Sequence, residues 1–204
     1  MQAPRRETRA RCRLWALECS LVSEELDVLR VVVDRLRAAD VSHMLTGSVA
    51  MAWYAQPRQT RDIDIVVDLP ESKVGAIVDS FSPDFYVDRD MVLDEVRRLG
   101  MFNMIQDAAA MKVDMIVRKT DPYASEAFRR RRSVEMAPGL SLDIIAAEDL
   151  VLSKLAWAKA GESRLQLRDV QNLLRSVNDL DRAYLARWAE LLGLSALLEK
   201  ATSP

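Results

Sequence analysis

Asp62 and Asp64 stand one residue apart in the run Arg58-Gln59-Thr60-Arg61-Asp62-Ile63-Asp64-Ile65. In an extended chain, side chains alternate between faces. The two carboxylates then point one way, and Ile63 and Ile65 point the other, toward a core. Carboxylates sharing a face repel each other unless a cation lies between them. A hard divalent cation takes oxygen ligands and holds phosphates, so the pair has the donor set for metal-assisted chemistry at a phosphate. In Lys112-Val113-Asp114-Met115-Ile116-Val117 a third carboxylate, Asp114, lies among apolar residues. It completes a triad if the two runs are neighbouring strands. Upstream, Gly47-Ser48 falls between a short apolar run and a helix start. Glycine lets a phosphate approach the backbone, and the N–H groups of a helix N-terminus favour anions. Each feature also has a plainer reading: a solvated strand edge for Asp-x-Asp, a tight turn with Ser48 as N-cap, an edge-strand charge for Asp114. Against the first stands the cost of carboxylates in a β-branched strand.

The elements that must position these residues follow from periodicity. Residues 23–40 carry Leu26, Leu29, Val32, Val33 and Leu36 at helical spacing, with Ser23 as N-cap and Glu24 and Glu25 in the first turn. Residues 43–46 form a short apolar run, and residues 49–54 start a second helix that Gln56-Pro57-Arg58 breaks. Ile63, Ile65, Val66 and Val67 predict a strand closed by Pro70. A helix over residues 71–81, a turn at Ser82-Pro83-Asp84 and a helix over 91–99 come next. Strands over 101–105 and 112–117 are joined as a hairpin, and Asp121-Pro122 opens a short helix. Residues 133–136 and 141–145 are strands around the Pro138-Gly139 turn. Residues 148–159, 163–177 and 181–192 then read as helices. The expected class is α/β (α+β), a mixed sheet flanked by helices and followed by a C-terminal helical part. The expected organisation is a basic extension over 1–22, an α/β domain over 23–145 and a helical region over 146–204 packed on it.

Composition narrows the classes. The 204 residues have a formal net charge of -2, so no general pull on nucleic acid is indicated, although a local basic patch is compatible with it. Cys12 and Cys19 make no disulfide framework, and a reducing cytoplasm is the expected compartment. His43 is the one histidine, which excludes a histidine-rich metal site. No apolar run approaches membrane-spanning length. The run Arg129 to Arg132 reads as a solvated helix end or as a contact for RNA or a triphosphate. His43 reads as packed or hydrogen-bonded, and Trp157 and Trp188 as core residues.

Gly47-Ser48, a spacer and then Asp62-Ile63-Asp64-Ile65 resemble the pattern of the nucleotidyltransferase superfamily. There a hydrophobic residue and Gly-Gly or Gly-Ser precede an acidic pair on a strand. A third acidic residue, matched by Asp114, follows on a later strand. Arg58-x-Thr60-x-Asp62 is similar to the minimal nucleotidyltransferases and the AbiEii-type toxins of type IV toxin–antitoxin systems. Glu148-Asp149-Leu150, Lys154-Leu155 and Arg168-Asp169-Val170 are similar to their helical motifs. The resemblance spans about residues 42–174. It implies a nucleotidyltransferase-like domain and transfer of a nucleoside monophosphate from a nucleoside triphosphate to a hydroxyl of RNA, protein or a small molecule. Asp62, Asp64 and Asp114 would hold Mg²⁺, or Mn²⁺ in its place. Asp62, Asp64, Asp114, Lys154 and Asp169 would be catalytic, and Gly47, Ser48, Arg58, Thr60 and Lys154 would bind the nucleotide. Two alternatives share the fold: a toxin restrained by an antitoxin partner, and a non-catalytic nucleotide-binding module. Read without the resemblance, Lys154 is a lysine that snorkels from an apolar helix face and Arg168-Asp169 a solvated pair.

Overall fold

The computed structural model describes residues 23–58, 60 and 62–202. The basic stretch 1–22, with both cysteines, and the side chain of Ser23, the expected N-cap, lie outside the described residues. The chain begins with α1 (Ser23–Ala38), β1 (Ser42–Thr46), α2 (Gly47–Tyr54) and β2 (Asp62–Asp68). It continues through α3 (Glu71–Phe81), β3 (Phe85–Tyr86), α4 (Arg89–Arg97), β4 (Met101–Gln106) and β5 (Met111–Val117). Then come α5 (Pro122–Arg129), β6 (Arg132–Ala137), β7 (Leu140–Ile144) and four helices, α6 (Ala147–Gly161), α7 (Arg164–Ser176), α8 (Arg182–Leu191) and α9 (Ser195–Thr202). The mixed sheet flanked by helices, and the run of helices after it, are as the periodicity predicts.

The strands form one sheet in the order β3-β4-β5-β2-β1-β7-β6. β2 sits near its centre, antiparallel to β1 and parallel to β5. β2 alternates as its sequence requires: Ile63, Ile65 and Val67 are each 1% exposed, while Asp62, Asp64, Val66 and Asp68 share the other face. Register carries that second face across three strands. Met44, Val66 and Ile116 form one row, and Thr46, Asp64 and Asp114 form the next. The core gathers the opposite rows together with Leu29, Val32 and Leu36 of α1 and Val74, Ile77 and Phe81 of α3.

Local chemistry sets the helix ends. Asp88, Asp121, Ser163 and Asp181 cap α4, α5, α7 and α8 by accepting from N–H groups of the first turn. α4 therefore starts at Arg89, two residues before its apolar pattern. β3 and α9 lie beyond the elements that periodicity predicts. β3 is too short to show alternation, and α9, only 8 residues long, is too short to show a helical period. Among the described residues, no helix is long and apolar enough to cross a membrane.

Candidate functional site

Asp64 and Asp114 face each other directly across the parallel β2–β5 pair, and Thr46 is the partner of Asp64 on β1. Adjacent strands run about 4.7–4.9 Å apart, so the two carboxylates stand side by side on one face. Asp62 lies one step back, opposite Lys112. Asp114 is buried, Asp64 half-buried and Asp62 exposed. The chain turns out of β1 into α2 at Gly47, with φ +67°. A Cβ at this position would lie 1.9 Å from Asp64 Oδ2. Glycine is therefore needed twice, for the left-handed backbone and for the approach of a carboxylate. The helix begins at Gly47 behind the N-cap Thr46, and Thr46 makes no side-chain capping bond. Ser48 is thus not the N-cap but a buried residue of the first turn.

The carboxylate row is short of positive charge. Burial, then the neighbouring Asp114 and Asp62, push the Asp64 carboxyl up to about 6, while Lys154 and Lys112 pull the other way. Asp114 Oδ1 is buried and has no hydrogen-bond partner among the described residues. The Lys112 ammonium lies 2.8 Å from Asp114 Oδ2 and 3.8 Å from Asp62 Oδ1. Its hydrogen bond to Asp114 holds Lys112 above the usual lysine value. Among the described residues no three His, Cys, Asp or Glu side chains already converge on a metal-ligand arrangement. Asp62 and Asp114 turn instead to the ammonium. The Asp114 oxygen left without a partner among the described residues and the tendency of Asp64 to protonate both fit residues that could hold a cation, and an all-oxygen donor set suits Mg²⁺ or Mn²⁺. Lys112 went unremarked in the sequence as a site residue. Its signal was its position two residues before Asp114, on the same face of the strand.

A second cluster borders the row. Lys154 of α6 is 2% exposed and donates to Asp169 Oδ2 at 2.7 Å and to Gln166 Oε1 at 3.2 Å. Desolvation pulls the Lys154 ammonium down, and the bond to Asp169 opposes this. Lys154 is buried and paired, so it does not snorkel. Asp169 is 4% exposed and is not part of a solvated pair. Arg58 donates through Nε to both oxygens of Asp169 at 3.3 Å and through Nη2 to Ser48 Oγ at 2.6 Å. Asn172 of α7 donates to the Gln56 carbonyl at 2.9 Å, pinning the loop that carries Arg58. Thr60 Oγ1 accepts from the Asp62 N–H at 3.4 Å, at the entry to β2. The fold thus brings Ser48, Arg58, Lys154 and Asp169 into one network, and Lys154 lies within electrostatic reach of Asp64.

Other candidates go elsewhere. Glu148 and Asp149 are bound by Arg130, at 2.8 and 3.0 Å. Arg129 pairs with Glu126 and Arg131 with Asp143, so these three arginines of the basic run are engaged in ion pairs within the fold. His43 is buried, with Nδ1 at 2.9 Å from the Val41 carbonyl. Trp188 packs against the core, but Trp157, expected there too, is 54% exposed.

No protein-family profile and no curated protein matches the chain. Among solved structures, the lincosamide antibiotic adenylyltransferase LnuA in its lincomycin-bound form is similar with a TM-score of 0.49 and 13% identity, over 78% of this chain and 99% of that one. The antibiotic-resistance factor ANT(2'')-Ia is similar with a TM-score of 0.49 and 11% identity, over 85% and 97% of the two chains. These figures describe a likeness of outline, from which no residue role is transferred.

Proposed function

We propose that the protein is a metal-dependent nucleotidyltransferase, moving a nucleoside monophosphate from a nucleoside triphosphate to an acceptor hydroxyl. The observation that carries this reading is the in-register pair Asp64 and Asp114, set against Gly47 at the start of α2. One element presents oxygen ligands, and the next presents backbone N–H groups to a polyanion. Asp62, Asp64 and Asp114 would hold the Mg²⁺ or Mn²⁺. When bound, the metal supplies the charge that stabilises the attacking and leaving oxygens of an in-line displacement. The oxygen of the acceptor hydroxyl forms the new bond to the α-phosphorus. The bond from that phosphorus to the bridging oxygen breaks, and pyrophosphate leaves with the electron pair. A carboxylate of the row takes the hydroxyl proton. Ser48 and the first turn of α2 orient the phosphates, and Arg58 and Lys154 oppose the charge that develops on pyrophosphate. Asp169 keeps both cations in place.

The finer affiliation with minimal and AbiEii-type enzymes draws support from one contact. Arg58, of the Arg58-x-Thr60-x-Asp62 motif, meets Asp169 of the helical motif. A toxin role follows if strong expression arrests growth and a neighbouring small protein relieves it. Normal growth on strong expression would remove that role without touching the enzymatic reading.

The direct test replaces Asp62 and Asp64 with Asn and follows transfer of α-labelled nucleotide in Mg²⁺ or Mn²⁺. Transfer should fall below about one thousandth of the parent rate. Transfer at the parent rate would overturn the proposal.

A further inference from the structure

A cavity of about 860 Å³ opens on the same sheet face, one residue pair along the strands from the carboxylate row. Its floor is the next row, Met44, Val66 and Ile116, and Thr46 belongs both to the cavity and to the row of Asp64. A step of two residues along a strand covers about 7 Å. Helices α5 and α6 wall it with Ala124, Ala156 and the exposed ring of Trp157. The size and the carbon-rich lining suit a small organic ligand. At the mouth, Arg118 is held by Asp68 and Lys159 by the Gly193 carbonyl. Lys119, also at the mouth, has no partner among the described residues.

We infer that this cavity holds the acceptor, a free small molecule with an apolar ring body and a hydroxyl directed at the Asp64–Asp114 row. The inference rests on the nucleotidyl-transfer reading and names its substrate class. An RNA acceptor would need successive cations for its phosphates, whereas the mouth offers, among the described residues, Lys119 and the buried, unpartnered Nε of Arg118, whose Nη2 is already held by Asp68, enough for a single anionic or electronegative substituent. A nucleobase needs hydrogen-bonding groups along its edge. The walls are mostly carbon: the Tyr123 hydroxyl is committed to the Asp149 carbonyl at 3.2 Å and Asp121 to the Ala124 N–H, and the Thr46 and Ser153 hydroxyls come from separate elements, not from one continuous polar edge. Polar and apolar compartments therefore meet at the carboxylates. Phosphates lie on the side of Ser48, Arg58 and Lys154, and the ring body lies over Val66 against Trp157. The acceptor oxygen bonds to the α-phosphorus, pyrophosphate departs, and the hydroxyl proton reaches solvent through a carboxylate of the row.

The experiment uses the full chain with Mn²⁺ and each of the four α-labelled triphosphates. The acceptors offered are a sterol, a flavonoid, an aryl glycoside and total RNA. Anilinonaphthalene sulfonate, two apolar ring systems with one anion, reports cavity occupancy independently of transfer. Label should pass to a ring compound, and that compound should displace the dye. Ala156→Trp fills the cavity from an exposed helix position, and Ala124→Phe fills it from the opposite wall. Each should weaken dye binding and acceptor labelling roughly tenfold or more while melting with the parent. Three results would overturn the inference: label passing only to RNA or to nothing offered, labelling indifferent to both variants, or a fluorescence change on nucleotide alone that Trp157→Phe removes, which would make the cavity the base site. Absence of nucleotide binding by calorimetry would be a separate failure. It would bring down the nucleotidyl-transfer reading and this inference together.

Discussion

Burial and the neighbouring Asp114 and Asp62 raise the Asp64 carboxyl from the ordinary aspartate value of 3.8 to about 6 in the folded chain. Between those values the folded form binds more protons than the unfolded form, so stability falls as pH rises through that window. A shift of this size corresponds to no more than roughly 3 kcal/mol. In EDTA, the denaturant midpoint should therefore decline from about pH 4 to 6 more steeply for the parent than for Asp64→Asn, and Mg²⁺ should flatten the parent curve. Identical slopes for the two proteins would show that Asp64 is not strained by its neighbours. Lys112 poses a related question, because its ammonium stands where a bound cation would touch Asp62 and Asp114. A metal bound between them would have to displace it. Lys112→Met should tighten Mn²⁺ binding in calorimetry by roughly tenfold, since a like charge at about 4 Å costs on the order of 1 kcal/mol or more. It should also lower the melting temperature of the metal-free protein. Unchanged Mn²⁺ affinity would place the metal away from the ammonium.

Gly47 ties a residue to the elements on either side of it, because β1, α2 and β2 meet there. Gly139, in the β6–β7 turn, has nearly the same backbone, φ +69°, but an added Cβ would find only Arg30 Nη1, at 3.9 Å. Both Gly→Ala variants carry the left-handed strain of about 1–3 kcal/mol. Only Gly47→Ala should also abolish Mn²⁺ and nucleotide binding, because its Cβ must move Asp64. Equal binding by the two variants would show that the approach of Gly47 to Asp64 is incidental. At this scale the sequence was legible where side chains alternate. Ile63, Ile65 and Val67 against Asp62 and Asp64 defined β2, and the single carboxylate among apolar neighbours defined β5. Two-residue β3 left no pattern to read. Which strands adjoin is not written in any one of them, so Asp114 reached Asp64 only through the register. The Arg58–Asp169 contact spans 111 positions. Sequence motifs named both residues, but no local rule made them partners. Trp157 misled because an aromatic residue on an apolar helix reads as core, although here its ring faces a cavity.

Across the whole molecule, Arg130 joins three helices. From the end of α5 it reaches Glu148 and Asp149 of α6, and its guanidinium lies 3.8 Å from the ring centroid of Tyr184 on α8. Tyr184 in turn donates to Asp149 Oδ1 at 2.6 Å. Desolvation raises the Asp149 carboxyl, and the bonds from Tyr184 and Arg130 oppose it. Arg130→Met should cost about 3–5 kcal/mol by chemical denaturation, because it leaves two buried carboxylates with the cation removed. A loss below about 1 kcal/mol would show the network to be dispensable. The parallel pairing of β2 with β5 has a consequence of another kind. Residues 69–110, including β3, β4 and two helices, must be placed before Asp64 meets Asp114. Closing so long a loop costs entropy before any contact rewards it, and such non-local pairing slows folding. The two carboxylates therefore come together late, and a ribosome-bound chain that has not yet released residue 114 has no paired row. Once formed, the site couples back to the fold, because whatever binds only the finished row draws the equilibrium toward the folded chain.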